Sequence, residues 1–138
     1  MKFYIDTCIW VDFIEDRIGF NGEKLGEYAG KLLSLIRSRK DIIIVTDIVY
    51  QELGGKYSFN NIDILLKTFN IENHKITLNQ QNEAKEYLKR DIPRGDIFHA
   101  ILARDNNAIL VTRDNHFKKL SDICGCYTPE EIIKDIIF

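Results

Sequence analysis

The sequence predicts a three-layer α/β/α sandwich built on a parallel sheet of four or five strands. Three observations lead there. Short apolar runs alternate with longer stretches of helical periodicity, the pattern of strands joined by helical crossovers. The run Ile42 to Val45 is apolar throughout, as a strand covered on both faces must be. The chain has 138 residues, 45% of them apolar and 29% charged, which suits a single domain over 1–138. A domain of that size buries roughly two-thirds of its unfolded surface and needs no staples.

Phe3 to Ile5 reads as the first strand, ended by Asp6. Cys8 to Glu15 follows as a short helix with Ile9, Trp10 and Phe13 on its inner face, and Gly19 to Gly22 as a loop. Leu25, Tyr28, Leu32, Leu35 and Ile36 recur at helical spacing, which predicts a helix over 24–38. Ile42 to Thr46 is the second strand. Asp47 is placed to cap a helix that runs through Glu52 to a Gly54-Gly55 stop. Ile62 to Phe69 reads as a helix, Ile71 to Ile76 as a weak strand, and Asn79 to Lys89 as a helix with Ala84 and Leu88 facing inward. Asp96 is expected to cap a helix from Ile97 to Asp105. Ala108 to Thr112 is the next strand, Asp114 opens a short helix, and Cys124 to Tyr127 is the last strand. Thr128-Pro129-Glu130-Glu131 has the form of a capped helix start with Pro in the first turn.

Composition excludes several classes. The 19 Lys plus Arg against 21 Asp plus Glu give a net charge of −2, which is no histone-like polycation but allows a local basic face. An odd count of three Cys argues against a disulfide framework. The apolar runs are too short to span a membrane, and Asp6 interrupts any stretch that could serve as a signal peptide. The expected location is the cytoplasm.

Ligand sites in open parallel sheets form just beyond the carboxyl ends of the strands. Asp6 stands directly at such an end, Asp114 just past another, and Glu52 about one and a half helical turns past a third. Asp96 reaches the same edge by arithmetic. A helix of about ten residues from Ile97 travels roughly 15 Å at 1.5 Å per residue, and the strand Ala108 to Thr112 returns a similar distance at about 3.3 Å per residue. Carboxylates gathered there repel one another, so a divalent cation is their natural occupant. An all-oxygen set suits Mg²⁺ or Mn²⁺ rather than zinc. Asp6, Asp96 and Asp114 are also plausible N-caps, and Glu52 could be a solvated helix residue. On spacing alone, a metal cluster and four unrelated acids account for the pattern equally well.

The chain resembles the PIN-domain ribonucleases, in particular the VapC-like toxins of prokaryotic type II toxin–antitoxin pairs. The stretches FYIDTCIWVDFIE, IIIVTDIVYQELG and GDIFHAILARDNNAILVTRDNHF carry the likeness. The resemblance implies a PIN-like fold and an acidic quartet of Asp6, Glu52, Asp96 and Asp114, with Thr112 as a hydroxyl beside the metal. It implies a Mg²⁺- or Mn²⁺-dependent endoribonuclease in which Asp6, Asp96 and Asp114 hold the ion and Glu52 binds metal or orients the attacking water. Cleavage of RNA leaving a 5′-phosphate and inhibition by a small cognate antitoxin follow from the same likeness. Two positions depart from the family. Cys8 stands where Ser or Asn is common, and His116 where some members carry a further acid, which leaves one ion or two open.

Other features are weighed beside it. His99 and His116 could pair with neighbouring Asp residues as general bases, but a helix-face or surface role is favoured because no Ser or Cys nucleophile stands beside them. Cys124 and Cys126 lack the second pair of a zinc site and read as packing thiols. Lys85, Lys89, Arg90 and Arg94 precede Asp96, with Arg113 near the site. They read as a solvated face, with RNA phosphate contact by Lys89, Arg90, Arg94 and Arg113 as the minority reading. The 24–40 segment fits core packing, a dimer face or a partner groove, and a homodimer is expected. The alternatives in function are a catalytically silent RNA- or protein-binding module and a phosphoryl-accepting receiver domain using Asp47.

Overall fold

A computed structural model describes residues 1–136 of the chain. Its strands are β1 (Lys2–Ile5), β2 (Ile42–Thr46), β3 (Asn70–His74), β4 (Ile109–Val111) and β5 (Cys126–Tyr127). The helices are α1 (Thr7–Glu15), α2 (Leu25–Arg39), α3 (Asp47–Gly54), α4 (Phe59–Leu66), α5 (Leu78–Lys85), α6 (Arg94–Asp105) and α7 (Pro129–Glu131). Three-ten turns cover Leu88–Arg90 and Asn115–Leu120, and a wider turn over Ile132–Ile136 continues α7.

The strands make one parallel sheet in the order β3-β2-β1-β4-β5, within an α/β architecture. This is not the 2-1-3-4-5 order of receiver domains. Asp47 has a structural task here: its Oδ1 takes the Ile48 and Ile76 backbone N–H groups and ties down the chain after β3. Because β1 lies between β2 and β4, the chain order reverses direction there, and such a reversal opens a crevice at the carboxyl ends. Register fixes which residues meet in it. Ile5 pairs with Val111, and the Asp6 N–H donates to the Val111 carbonyl at 3.0 Å, so Asp6 and Thr112 leave the sheet side by side.

The core explains why the central strands read as unbroken apolar runs. Phe3, Tyr4 and Ile5 are fully buried, as are Ile43, Leu110 and Val111, with Ile9, Trp10, Leu32, Ile36, Ile97 and Ile101 packed over them. Among the described residues, no helix is long and apolar enough to cross a membrane.

Several expected boundaries move, each for a local reason. The helix expected from Asp96 starts at Arg94, because Pro93 occupies the cap position. Asp96 therefore lies inside the first turn. Thr46, not Asp47, caps α3, its hydroxyl accepting the Val49 N–H. Ser58 starts α4 at Phe59 rather than Ile62. The helix expected to reach Lys89 ends at Lys85, and Leu88 falls in a three-ten turn with 46% of its surface exposed.

Candidate active site at the sheet reversal

Asp6 follows the last residue of β1 and is buried. Its Oδ1 accepts the Thr7 N–H at 2.8 Å, capping α1, and its Oδ2 accepts the Thr112 hydroxyl at 2.7 Å. The Thr112 Oγ1 also accepts the Asp114 N–H at 3.1 Å. One buried hydroxyl thus sets the spacing between two acids that are far apart in sequence. Asp114 in turn takes the His116 N–H at 2.9 Å, so it too is a true cap. Capping and site membership share the same carboxylates.

Asp96 behaves differently. Among the described residues it accepts no backbone N–H, and its Oδ2 is buried without a hydrogen-bond partner. The His116 Nδ1 lies 3.4 Å from that oxygen and 3.0 Å from Asp114 Oδ1. Ligand atoms of Asp96, Asp114 and His116 all fall within 4.8 Å of one another. Burial, then the charges of Asp114 and Asp6, pushes the Asp96 carboxyl up to about 6. An orphaned oxygen among like charges is the condition a cation relieves. The donor set therefore fits a divalent ion, although His116 makes it mixed rather than all-oxygen.

Glu52 reaches the edge from α3. Its Oε1 accepts the Thr7 hydroxyl at 3.1 Å and lies 2.8 Å from His99 Nε2. Burial would raise its pKa, but the bond to His99 and that imidazole's charge hold it below the usual carboxylate value. His99 Nε2 also lies 3.8 Å from Asp6 Oδ1. Asp6, Asp96, Asp114, Thr112 and Glu52 thus gather at one edge. Cys8 sits 3.4 Å from Asp6 Oδ2, and burial beside that carboxylate lifts its thiol to about 12, so it stays protonated at neutral pH.

The basic residues divide. Arg90 forks onto Asp122 and caps the Lys119 carbonyl, and Arg113 forks onto Glu130 with Asp12 3.5 Å away. Both are committed to the protein. Lys89 and Arg94 are exposed and make no ion pair among the described residues, and the same holds for Lys118 and Lys119 just past Asp114. Sequence reasoning missed Lys118, Lys119 and the buried His99–Tyr4 pair. The signal for His99 was available: one turn after Asp96 it sits on the inward face of an apolar helix, where a histidine needs partners.

Solved structures share this architecture. VapBC2 from Rickettsia felis, bound to a DNA fragment from its promoter, is 20% identical over 93% of this chain and 98% of the other, with a TM-score of 0.65. VapBC-1 from nontypeable Haemophilus influenzae is 19% identical over 94% and 99%, with a TM-score of 0.63. FitAcB from Neisseria gonorrhoeae is 16% identical over 94% and 99%, with a TM-score of 0.62. At such identities the likeness is one of fold. A search among curated proteins finds no match. The sequence itself supplies what the fold alone does not: the family model of the PIN domain matches residues 3–123, nearly the whole span from β1 to the approach to β5, and the chain belongs to the PIN-domain family.

Proposed function

We propose that the protein is a divalent-metal-dependent endoribonuclease and the toxin of a toxin–antitoxin pair. The observation that carries the metal requirement is the buried, unpartnered Asp96 Oδ2 beside Asp114 and His116. Asp96, Asp114 and His116, with Asp6, would hold the ion, which supplies a Lewis acid that polarises phosphate oxygen and acidifies water. Membership of the PIN family, and a fold shared with toxin–antitoxin complexes, support RNA cleavage and a small antitoxin partner.

The chain's own residues do the rest. Thr112 and the Thr7 N–H hold both oxygens of Asp6, so its charge stays fixed at the reversal point. Glu52 is kept ionised, with Oε1 engaged twice and Oε2 without a hydrogen bond among the described residues. Oε2 is the atom that accepts a proton from the attacking water. Lys118 and Lys119 beside Asp114, with Lys89 and Arg94, draw the phosphate backbone toward an acidic edge.

The test is cleavage of structured RNAs and matching DNAs by purified protein. EDTA should abolish RNA cleavage and Mn²⁺ or Mg²⁺ restore it, with Asp6→Asn and Asp114→Asn each lowering the rate at least a hundredfold. Full activity after rigorous chelation would overturn the reading.

A further inference from the structure

His99 is 1% exposed, and a buried imidazole needs partners for both ring nitrogens. Nε2 lies 2.8 Å from Glu52 Oε1, and Nδ1 lies 2.6 Å from the Tyr4 hydroxyl. The Tyr4 hydroxyl lies 2.8 Å from Thr46 Oγ1, which accepts the Val49 N–H at 3.4 Å. Thr46 is the cap of α3, the helix that carries Glu52. The hydrogen bonds therefore leave α3 at its first turn, cross β1 and α6, and return to α3 at Glu52.

The chemistry gives this loop a direction at Glu52. A carboxylate only accepts, so Nε2 carries a proton. A neutral ring accepts the Tyr4 O–H at Nδ1, with the Tyr4 oxygen accepting from Thr46. A charged ring donates from Nδ1 to the Tyr4 oxygen, which then donates to Thr46. In both states Nε2 donates to Glu52. Every donor finds an acceptor. Tyr4 could have been a phenylalanine if filling the core were its only task, since its ring is fully buried. Its hydroxyl engages Nδ1 and fixes the ring so that Nε2 points at Glu52. The Glu52 side chain, by contrast, is 43% exposed, so the core has no need to satisfy it.

We propose that His99 is a positioning residue for the acidic site: held by Tyr4, it anchors Glu52 through Oε1 and leaves Oε2 free toward the reaction. The inference rests on the nuclease reading of that site. A free Glu would lose rotamer entropy each time it was ordered, and the anchor supplies that order in advance.

Two amide variants separate the ring nitrogens. The amide nitrogen of His99→Gln reaches the place of Nε2, whereas His99→Asn reaches only that of Nδ1. His99→Asn should lower kcat on RNA about 10- to 100-fold, leave the KM for RNA within about twofold, and weaken Mn²⁺ binding measured by calorimetry. His99→Gln should recover kcat to within about threefold. Tyr4→Phe keeps an aromatic ring in the core and releases His99 Nδ1, so it should fold and lose about three- to tenfold in kcat. A folded His99→Asn with wild-type kcat and Mn²⁺ affinity overturns the inference, as does a His99→Gln as impaired as His99→Asn. A protein that cleaves no RNA yet binds Mn²⁺ with this ordering of variants would refute the nuclease reading and still support the positioning role.

Discussion

Asp96 shows how two forces on one carboxylate can be weighed. Placed in the first turn of α6, its charge gains about 0.3–1 kcal/mol from the helix dipole. Burial and the charges of Asp114 and Asp6 oppose this and win, since the carboxyl is pushed up to about 6. The folded state thus holds that proton more tightly than the unfolded chain does. The resulting penalty is fully present above pH 6, and it fades as pH falls toward the ordinary Asp value near 4. In EDTA at pH 8, Asp96→Asn should therefore be more stable than wild type. After discounting for solvent screening at this partly exposed side chain, the gain is about 1 kcal/mol, or about 3 °C in Tm. Melting curves at pH 8 and pH 4 check the sign, because the advantage should vanish at the lower pH. Millimolar Mn²⁺ should raise the Tm of wild type and do little for the variant. A variant that melts below wild type in EDTA would show that the dipole, not repulsion, dominates.

At the scale of elements, the turn after β4 carries Thr112 and Asp114, and Arg113 between them points the other way. Its fork onto Glu130 of α7 and its approach to the buried Asp12 of α1 pin that turn from behind. Burial raises the Asp12 pKa while Arg113 lowers it, so the cation is what keeps Asp12 tolerable there. Arg113→Ala should cost about 2 kcal/mol by leaving a buried acid unpaired, with Asp12→Asn in the same chain restoring part of it. Chemical denaturation of the two variants measures this. If Arg113→Ala instead leaves stability intact and weakens RNA binding alone, Arg113 is a phosphate contact. Sequence reading placed Arg113 near the site but could not see its partner, because the fork joins elements separated by a strand and a loop. The same limit hid His99, whose partners Tyr4 and Glu52 lie on two other elements. Strands and acids were legible because they rest on local runs and on one rule about strand ends. The α6 start was misplaced for the opposite reason: Asp96 is a good cap residue, and Pro93 three positions earlier set the boundary with a fixed φ of −52°.

For the whole molecule, a net charge of −2 gives no general pull on RNA, so the proposed nuclease requires a local attraction. Lys118→Ala, Lys119→Ala and Lys89→Ala together should flatten the slope of log Kd against log salt by about 2 or 3, with little change in Tm. Binding titrations in EDTA across a salt series would show it, and an unchanged slope would return these lysines to solvent. The parallel sheet and its acidic edge were foreseeable as a class of fold; the strand order was not. Which residues brace that edge was not, since bracing depends on contacts that span nearly the full chain. The bond from Thr112 to Asp6 joins residues 106 apart in sequence, and it closes the gap between the first strand and the fourth. During synthesis at roughly 5–20 residues per second, Asp6 would wait on the order of 5–20 s before its partner left the ribosome. Until β4 slots in beside β1, the carboxylates belong to separate pieces of chain. A product that stops short of β4 therefore lacks the assembled edge, and the order of translation delays the moment at which those carboxylates meet.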